Sequence, residues 1–148
     1  MKGKKRKSIP YDDVLVISSN FANLVRVEKF SRRISRKARL TEDQGENLAI
    51  ALTELVNNAI IHGNKSDPCK QVGIYVQYKP DRVEVSVLDE GEGFDPTTLE
   101  NPTDPENLWK ENGRGIFLVQ HLIDELLFEQ TPQGLMVTMV ISRSKEQK

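Results

Sequence analysis

Short apolar runs and helical periodicities alternate along the chain and predict an ordered succession of strands and helices. The β-branched run at 14–20 predicts a first strand. Apolar residues then recur at helical spacing over 21–40, opposite Arg and Lys, which indicates an amphipathic helix. A second helix is predicted over 41–63, because Thr41 is a suitable N-cap ahead of two acidic residues and Gly63 is a suitable stop.

The second half of the chain has the pattern of a hairpin, a long loop and a closing helix–strand–strand unit. Alternating residues predict strands at 71–79 and 82–89 around a turn at Pro80-Asp81. The segment 91–115 is rich in Gly, Pro, Asn and Asp, and it predicts a long loop of the kind that is usually functional or disordered. GIFLVQHLIDELL then predicts a helix running into a strand, and QGLMVTMVIS predicts a last strand after a TPQG turn.

The order β-α-α-β-β-loop-α-β-β predicts an α/β fold of the α+β type, a two-layer sandwich. Its sheet should be mixed and mostly antiparallel, with the helices on one face. The 148 residues suit one domain, and no repeat is present. We expect a basic flexible tail at 1–10, a single domain at 11–143 and a polar tail at 144–148.

Composition and charge exclude several classes of protein. The net charge of −1 gives no global field that would favour nucleic acid or an anionic membrane. No apolar stretch approaches the roughly 20 residues that span a bilayer. The single cysteine, Cys69, excludes an intrachain disulfide and fits a reducing, cytoplasmic compartment. Five of the first seven residues are basic, and a solvated tail explains them more simply than a contact patch for an acidic partner.

The helix at 41–63 carries a row of polar residues beside its apolar stripe, within ELVNNAIIHGNKSDP. Glu54 and Asn58 lie four positions apart and therefore share one flank, and His62 continues that row. For this segment alone, a solvated face with a histidine near the helix C-terminus is the simpler interpretation. The stripe that should face the sheet consists of Leu48, Leu52, Leu55, Val56 and Ala59.

Two glycine-containing stretches further along favour a nucleotide site. In DEGEGFD, Asp89 ends a strand and is followed by Gly91 and Gly93, which let a backbone approach a flat or charged ligand. The Asp89 carboxylate can accept a hydrogen bond from an exocyclic amine. In NGRG, Gly113 and Gly115 flank Arg114 at a predicted helix start, where backbone N–H groups and an arginine suit phosphate. Rossmann and Walker fingerprints are both absent, so such a site has another design.

In this order, ELVNNAIIHGN, DEGEGFDP and NGRGIFLVQHLIDEL resemble the N-box and the two glycine boxes of the GHKL (Bergerat-fold) ATPases. They are most similar to those of the bacterial anti-sigma-factor serine-protein kinases, and PTDPENLWKENGRG resembles the short lid of that branch. The resemblance extends from about residue 14 to about residue 142. Each box is weak alone, but three in this order with matching spacing strongly favour the family over the alternative, a coincidental match in another α/β scaffold.

The resemblance implies a role for each matching residue. Glu54 would act as general base toward a serine or threonine hydroxyl of a partner protein, or toward water. Asn58 would coordinate the Mg²⁺ that bridges the ATP phosphates; Asn57 lies beside it, but only Asn58 is four residues from Glu54. Asp89 would accept a hydrogen bond from the adenine amino group. The glycine boxes would contribute Gly91 and Gly93 to the adenine pocket, and Gly113, Arg114 and Gly115 to phosphate binding under the lid.

The implied function is that of a serine/threonine-protein kinase in transcription regulation. It would transfer the γ-phosphate of Mg-ATP to an anti-sigma-factor antagonist and exchange that partner for a sigma factor. The alternative is an ATP-binding, partner-sequestering module of the same fold with little or no kinase activity; Glu54 favours the enzyme, since a binder needs no base. His62 lies inside the N-box rather than on a separate helix, so autophosphorylation on histidine is not expected.

Related domains are usually homodimers, and the first helix offers the surface to test first. A solubilising surface is the more common explanation of such a basic face. The exposed basic residues predicted there are Arg26, Arg32, Arg33, Arg36 and Lys37.

Overall fold

A computed structural model describes residues 11–91 and 114–144 of the chain. The described strands are β1 (Asp13–Ser18), β2 (Gln71–Lys79), β3 (Arg82–Leu88), β4 (Glu125–Gln130) and β5 (Leu135–Ser142). The α-helices are α1 (Leu24–Ala38), α2 (Glu42–Asn58) and α3 (Arg114–Leu122). A 3-10 turn at Phe21–Asn23 precedes α1, and a π-helical turn at Ala59–Gly63 follows α2.

The five described strands form one open sheet in the order β1-β2-β3-β5-β4. All four pairings are antiparallel, so the mostly antiparallel sheet is confirmed and no parallel pair occurs between these strands. The β2–β3 hairpin pairs Lys79 with Arg82 around the predicted turn. The TPQG turn is also formed, with the Thr131 N–H donating to the Gly134 carbonyl at 2.8 Å.

Helices and sheet enclose one apolar core. Alternate residues of the central strands, such as Val72, Ile74 and Val85, are fully buried. Burying each such side chain stabilises the fold by about 1.5–3 kcal/mol. The predicted stripe of α2 faces this core, since Leu48, Leu52, Leu55, Val56 and Ala59 are all buried. The predicted two-layer α/β fold is therefore confirmed.

The region predicted as one helix over 21–40 is divided in the structure. Asn20 caps the 3-10 turn by accepting a hydrogen bond from the Ala22 N–H at 2.8 Å. Helix α1 ends at Ala38, because Arg39 adopts a left-handed conformation with φ 57°. Leu40 then leads directly into the cap of α2.

Helix α2 begins as predicted and ends differently. Thr41 and Gln44 form a reciprocal capping box, with hydrogen bonds of 3.0 and 3.1 Å. At the other end the Asn64 N–H donates to the Ala59 carbonyl, five residues back, which makes the last turn π-helical. Because that turn is wider than an α-helical one, the regular row of Glu54 and Asn58 does not continue at α-helical spacing to His62.

A buried carboxylate anchors α1 to the sheet. Asp13 on β1 is only 8% exposed, and it accepts hydrogen bonds from Lys37 Nζ at 2.9 Å and from the Tyr78 hydroxyl at 2.8 Å. The Arg33 guanidinium lies 3.3 Å from the same carboxylate. All five basic residues predicted to be exposed on the first helix are exposed. Two of them, however, neutralise Asp13.

We expect this anchor to make stability depend on acid pH. Burial acts to raise the pKa of Asp13, but hydrogen bonds from Lys37 and Tyr78 and the charges of Lys37 and Arg33 together lower it. A carboxyl group with a lowered folded-state pKa contributes its stability above the unfolded pKa of about 3.9, and this contribution is lost as pH falls through the folded value. Asp13→Asn should therefore reduce the free energy of unfolding at pH 7 by about 1–3 kcal/mol, and by less near pH 3.

Chemical denaturation of both proteins at the two pH values measures this effect. The control is Glu28→Gln, which breaks an ion pair with Arg32 in which both side chains are more than half exposed. That change should have little effect, because exposed pairs contribute about 0–1 kcal/mol. An equal loss for Asp13→Asn at both pH values would contradict the proposed charge anchor.

Candidate functional site

The end of α2 and the start of α3 bring two of the predicted boxes together. Glu54 and Asn58 lie on the last turns of α2, and both side chains are half-buried beside the apolar stripe. Gly115, in the first turn of α3, packs against Glu54: a Cβ added there would lie 2.7 Å from the Glu54 carboxyl carbon. Only glycine permits this approach. The candidate base therefore lies beside the predicted phosphate-binding helix start.

Two asparagine side chains at this end of α2 each have a buried polar atom without a partner in the described part of the chain. These atoms are Oδ1 of Asn57 and Nδ2 of Asn58. Buried polar groups in folded proteins are nearly always hydrogen-bonded, so an orphaned pair calls for an explanation. A polar ligand or ion bound here would supply the missing partners.

The second predicted feature, the carboxylate at the end of β3, lies in a cradle of glycines. Asp89 is 6% exposed, and its Oδ1 accepts hydrogen bonds from the N–H groups of Gly91 and Leu135, both at 3.0 Å. A Cβ added at Gly63 would lie 2.5 Å from Asp89 Cγ, and one at Gly134 would lie 2.8 Å from the Asp89 carbonyl carbon. Backbone therefore packs directly against this carboxylate and fixes its orientation.

Two of these glycines had no predicted role in the site. Gly63 had been identified only as a helix stop, and Gly134 only as part of a turn. The contact of Gly134 with Asp89 depends on β5 lying beside β3, and that of Gly63 depends on the π-helical turn packing against the end of β3; no local pattern shows either. The Asp89 N–H also donates to the Leu135 carbonyl at 3.2 Å. Asn64 also had no predicted role, because its side-chain partners Ser19 and Glu90 are 45 and 26 residues away along the chain.

Several predicted site residues lie outside the described residues. These are Gly93 and Gly113, together with the side chain of Arg114, whose backbone begins α3. The stretch that resembles the lid falls in the same part of the chain. Their roles stay predictions.

Two further reactive side chains, Cys69 and His62, were singled out in the sequence. Cys69 is a free, exposed thiol, and His62 is half-buried on the π-helical turn. Across 11–91 and 114–144, no group of three or more His, Cys, Asp or Glu side chains could hold a metal ion. No helix within those ranges is long and apolar enough to cross a membrane.

Sequence comparison identifies relatives along most of the chain. Residues 17–141 match the family described as the histidine kinase-like ATPase domain. The serine-protein kinase RsbW of Staphylococcus aureus is 29% identical over 137 residues, which cover 88% of this chain and 84% of that protein. RsbW of S. aureus strain Newman is 28% identical over the same coverage.

Solved structures below 25% identity support the fold alone. The structure of the RsbU and RsbW domains of a Mycobacterium tuberculosis protein matches with a TM-score of 0.58 and 17% identity, over 89% of this chain and 33% of that one. The catalytic domain of the histidine kinase ThkA matches with a TM-score of 0.55 and 18% identity, over 88% and 97%. Together with the family match and the glycine-framed site, these findings confirm the resemblance: the chain belongs to the histidine kinase-like ATPase domain family.

Proposed function

We propose that this chain is an anti-sigma-factor-type serine/threonine-protein kinase that uses Mg-ATP. The observation that carries the proposal is the contact between Glu54 and Gly115, which places a carboxylate beside the first turn of α3. A base and a helix N-terminus suited to phosphate then face the same space. Family membership and the similarity to RsbW serine-protein kinases support the same activity.

Asp89 would select the base of the nucleotide. Two backbone N–H groups fix one of its oxygens, so the carboxylate has a defined orientation at the end of β3. An exocyclic amine is a donor and complements an ionised carboxylate, whereas a carbonyl oxygen at the same place would repel it. Adenine would therefore be preferred over guanine or hypoxanthine, with Gly91 and Gly93 shaping the pocket.

The residues near Glu54 fit a magnesium ion that is held mainly by the phosphates of the bound nucleotide. Mg²⁺ prefers oxygen ligands and in nucleotide sites keeps several waters and phosphate oxygens, so a cluster of three acidic side chains is not needed. Asn58 would provide the amide oxygen, whereas its buried Nδ2, a donor without a partner among the described residues, would need an acceptor and not the cation. When bound, the ion would neutralise the charge of the phosphates during transfer.

Phosphoryl transfer then requires one proton acceptor and one positioned acceptor hydroxyl. Glu54 would take the proton from a serine or threonine hydroxyl of the partner while the oxygen of that hydroxyl bonds to the γ-phosphorus. The bond between that phosphorus and the bridging oxygen breaks, and ADP leaves. Backbone N–H groups at the start of α3, with Gly113, Arg114 and Gly115, would hold the phosphates throughout.

We infer that the phosphoacceptor is an anti-sigma-factor antagonist and that a sigma factor is the alternative partner. The likeness to RsbW serine-protein kinases, at about 28–29% identity, supports the kinase activity, and the resemblance of the boxes to those of anti-sigma-factor kinases implies this class of partner. A cytoplasmic homodimer with its domain at 11–143 is part of the proposal, and the exposed Arg26 and Arg36 of α1 form the first surface to test.

Labelled ATP tests the activity directly. The chain is purified from its native cell with its bound proteins and incubated with Mg²⁺ and ATP labelled at the γ-phosphate. We expect the label on serine or threonine of a co-purified protein, and no label when Mg²⁺ is chelated. Tight ATP binding with a bound partner that stays unlabelled would instead support the partner-sequestering module.

A further inference from the structure

Asn64 is the residue that joins the two halves of the candidate site. It follows the π-helical turn and is completely buried. Its Nδ2 donates to the Ser19 hydroxyl at 2.7 Å and to the Gln71 carbonyl at 3.0 Å, and its Oδ1 accepts from the Glu90 N–H at 2.7 Å. A buried amide with partners on both ends holds its neighbours in one arrangement.

The hydrogen bond from the Glu90 N–H to Asn64 fixes the segment that carries the Asp89 carboxylate. Glu90 lies between Asp89 and Gly91, so Asn64 fixes this segment from the side of β2. The Leu135 N–H fixes it from the side of β5 by donating to Asp89 Oδ1 at 3.0 Å. The Asp89 segment is thus attached on both sides, to Asn64 through the Glu90 N–H and to β5 through Leu135, and loss of the Asn64 bond would free one of these sides.

The backbone of Asn64 fixes the helix that carries the proposed base and metal ligand. Its N–H donates to the Ala59 carbonyl at 2.8 Å and closes the turn directly after Asn58. The space between this turn and the Asp89 segment is filled, since a Cβ at Gly91 would lie 2.9 Å from the Gly63 carbonyl carbon. Asn64 therefore sets the separation between the end of α2 and the end of β3.

We propose that Asn64 is a positioning residue for base selection by Asp89. The inference rests on the proposed function, because it takes Asp89 as the acceptor for the adenine amine. Asn64 would not touch the nucleotide. It orients the carboxylate so that an amine is bound and a carbonyl oxygen is repelled, and it links this selection to the helix that carries Glu54 and Asn58.

Ser19 provides a matched control within the same buried network. It is 5% exposed, accepts from Asn64 and donates to the Lys70 carbonyl at 2.9 Å. Ser19→Ala removes a buried partner of Asn64 but leaves the bond to Glu90 in place. If Asn64 had only a structural role, Asn64→Ala and Ser19→Ala would both change stability, and neither would change the preference between nucleotides.

Calorimetric binding of ATP and of inosine triphosphate, both with Mg²⁺, tests the proposal. Inosine triphosphate has a carbonyl oxygen where ATP has the amine. In Asn64→Ala the preference for ATP should fall about three- to tenfold, the range that one neutral hydrogen bond supports. Ser19→Ala should keep the parent preference, and Asp89→Asn should lose most of it.

Two further variants keep the test decisive if Asn64→Ala does not fold. Asn64→Ser leaves room for a water and cannot reach Glu90, so it should lower the preference in the same way. Asn64→Asp keeps an oxygen toward the Glu90 N–H and should restore the preference while lowering the melting temperature. Parent preference in a folded Asn64→Ser variant would overturn the role of Asn64.

The outcomes separate this inference from the function on which it rests. If Asp89→Asn loses the preference and the Asn64 variants keep it, the kinase proposal stands and the positioning role is wrong. If the parent chain does not bind ATP, or if Asp89→Asn keeps the parent preference, the assignment of Asp89 fails instead.

Discussion

Replacement of Glu54 by glutamine should leave ATP binding close to the parent value and lower phosphoryl transfer by about 10²–10⁴-fold, the contribution of a positioned general base. The substitution preserves shape and removes only the ability to take a proton. Among the described residues Glu54 forms no ion pair, so a structural salt bridge does not explain its half-buried carboxylate. An unchanged fold with lost transfer is therefore the expected result.

Single-turnover transfer from labelled ATP to the co-purified acceptor, together with calorimetric ATP affinity, measures both halves of this expectation. Glu46→Gln is the matched control, because Glu46 lies on the same helix and is exposed. It should retain parent activity. Transfer at the parent rate by Glu54→Gln would remove Glu54 from the role of base.

Gly115→Ala tests the contact between Gly115 and Glu54 without replacing the proposed base. The new Cβ would lie 2.7 and 3.0 Å from two carbon atoms of the Glu54 side chain, so the carboxylate must move. Alanine is otherwise favoured over glycine inside a helix by about 1 kcal/mol. The variant should lose transfer without becoming less stable, a combination that an unfolding effect cannot produce.

The parts of the fold that local patterns determine could be predicted from the sequence. Alternation in β2 and β3, the N-cap at Thr41 and the two hairpin turns each depend on neighbours a few residues apart. The π-helical turn after Asn58 is different, because the regular helical wheel assumes α-helical spacing throughout. It closes through Asn64, whose side chain is held by distant segments.

The candidate site likewise contains residues that local patterns identify and residues that only the tertiary structure brings to the site. Glu54, Asn58 and Asp89 could be proposed from their boxes, but the position of Gly134 against Asp89 follows from β5 pairing with β3. Likewise, the basic face of α1 has the pattern of a free surface. Asp13 becomes the partner of Arg33 and Lys37 only when β1 packs beneath the helix.

Replacement of Asn58 by alanine should abolish the magnesium-dependent part of ATP binding. Loss of a direct ligand should exceed the roughly 10–100-fold effect of losing an outer-shell partner. The fold should persist, because Asn58 Nδ2 has no hydrogen-bond partner among the described residues and its removal breaks no bond there. Calorimetry with and without a chelator, and a thermal melt, measure binding and stability separately.

The neighbouring asparagine makes this test specific. Asn57 lies three residues from Glu54, and positions three and four apart are both neighbours on a helix. Its buried Oδ1 is also without a partner in the described chain, so Asn57→Ala is the matched control. If Asn58 is the ligand, Asn58→Ala in Mg²⁺ should bind ATP as weakly as the parent chain does in chelator, and Mg²⁺ should no longer change its affinity. Asn57→Ala should keep its response to Mg²⁺; the reverse pattern would assign the metal to Asn57, whereas a Mg²⁺ response in both variants would mean that neither amide binds it.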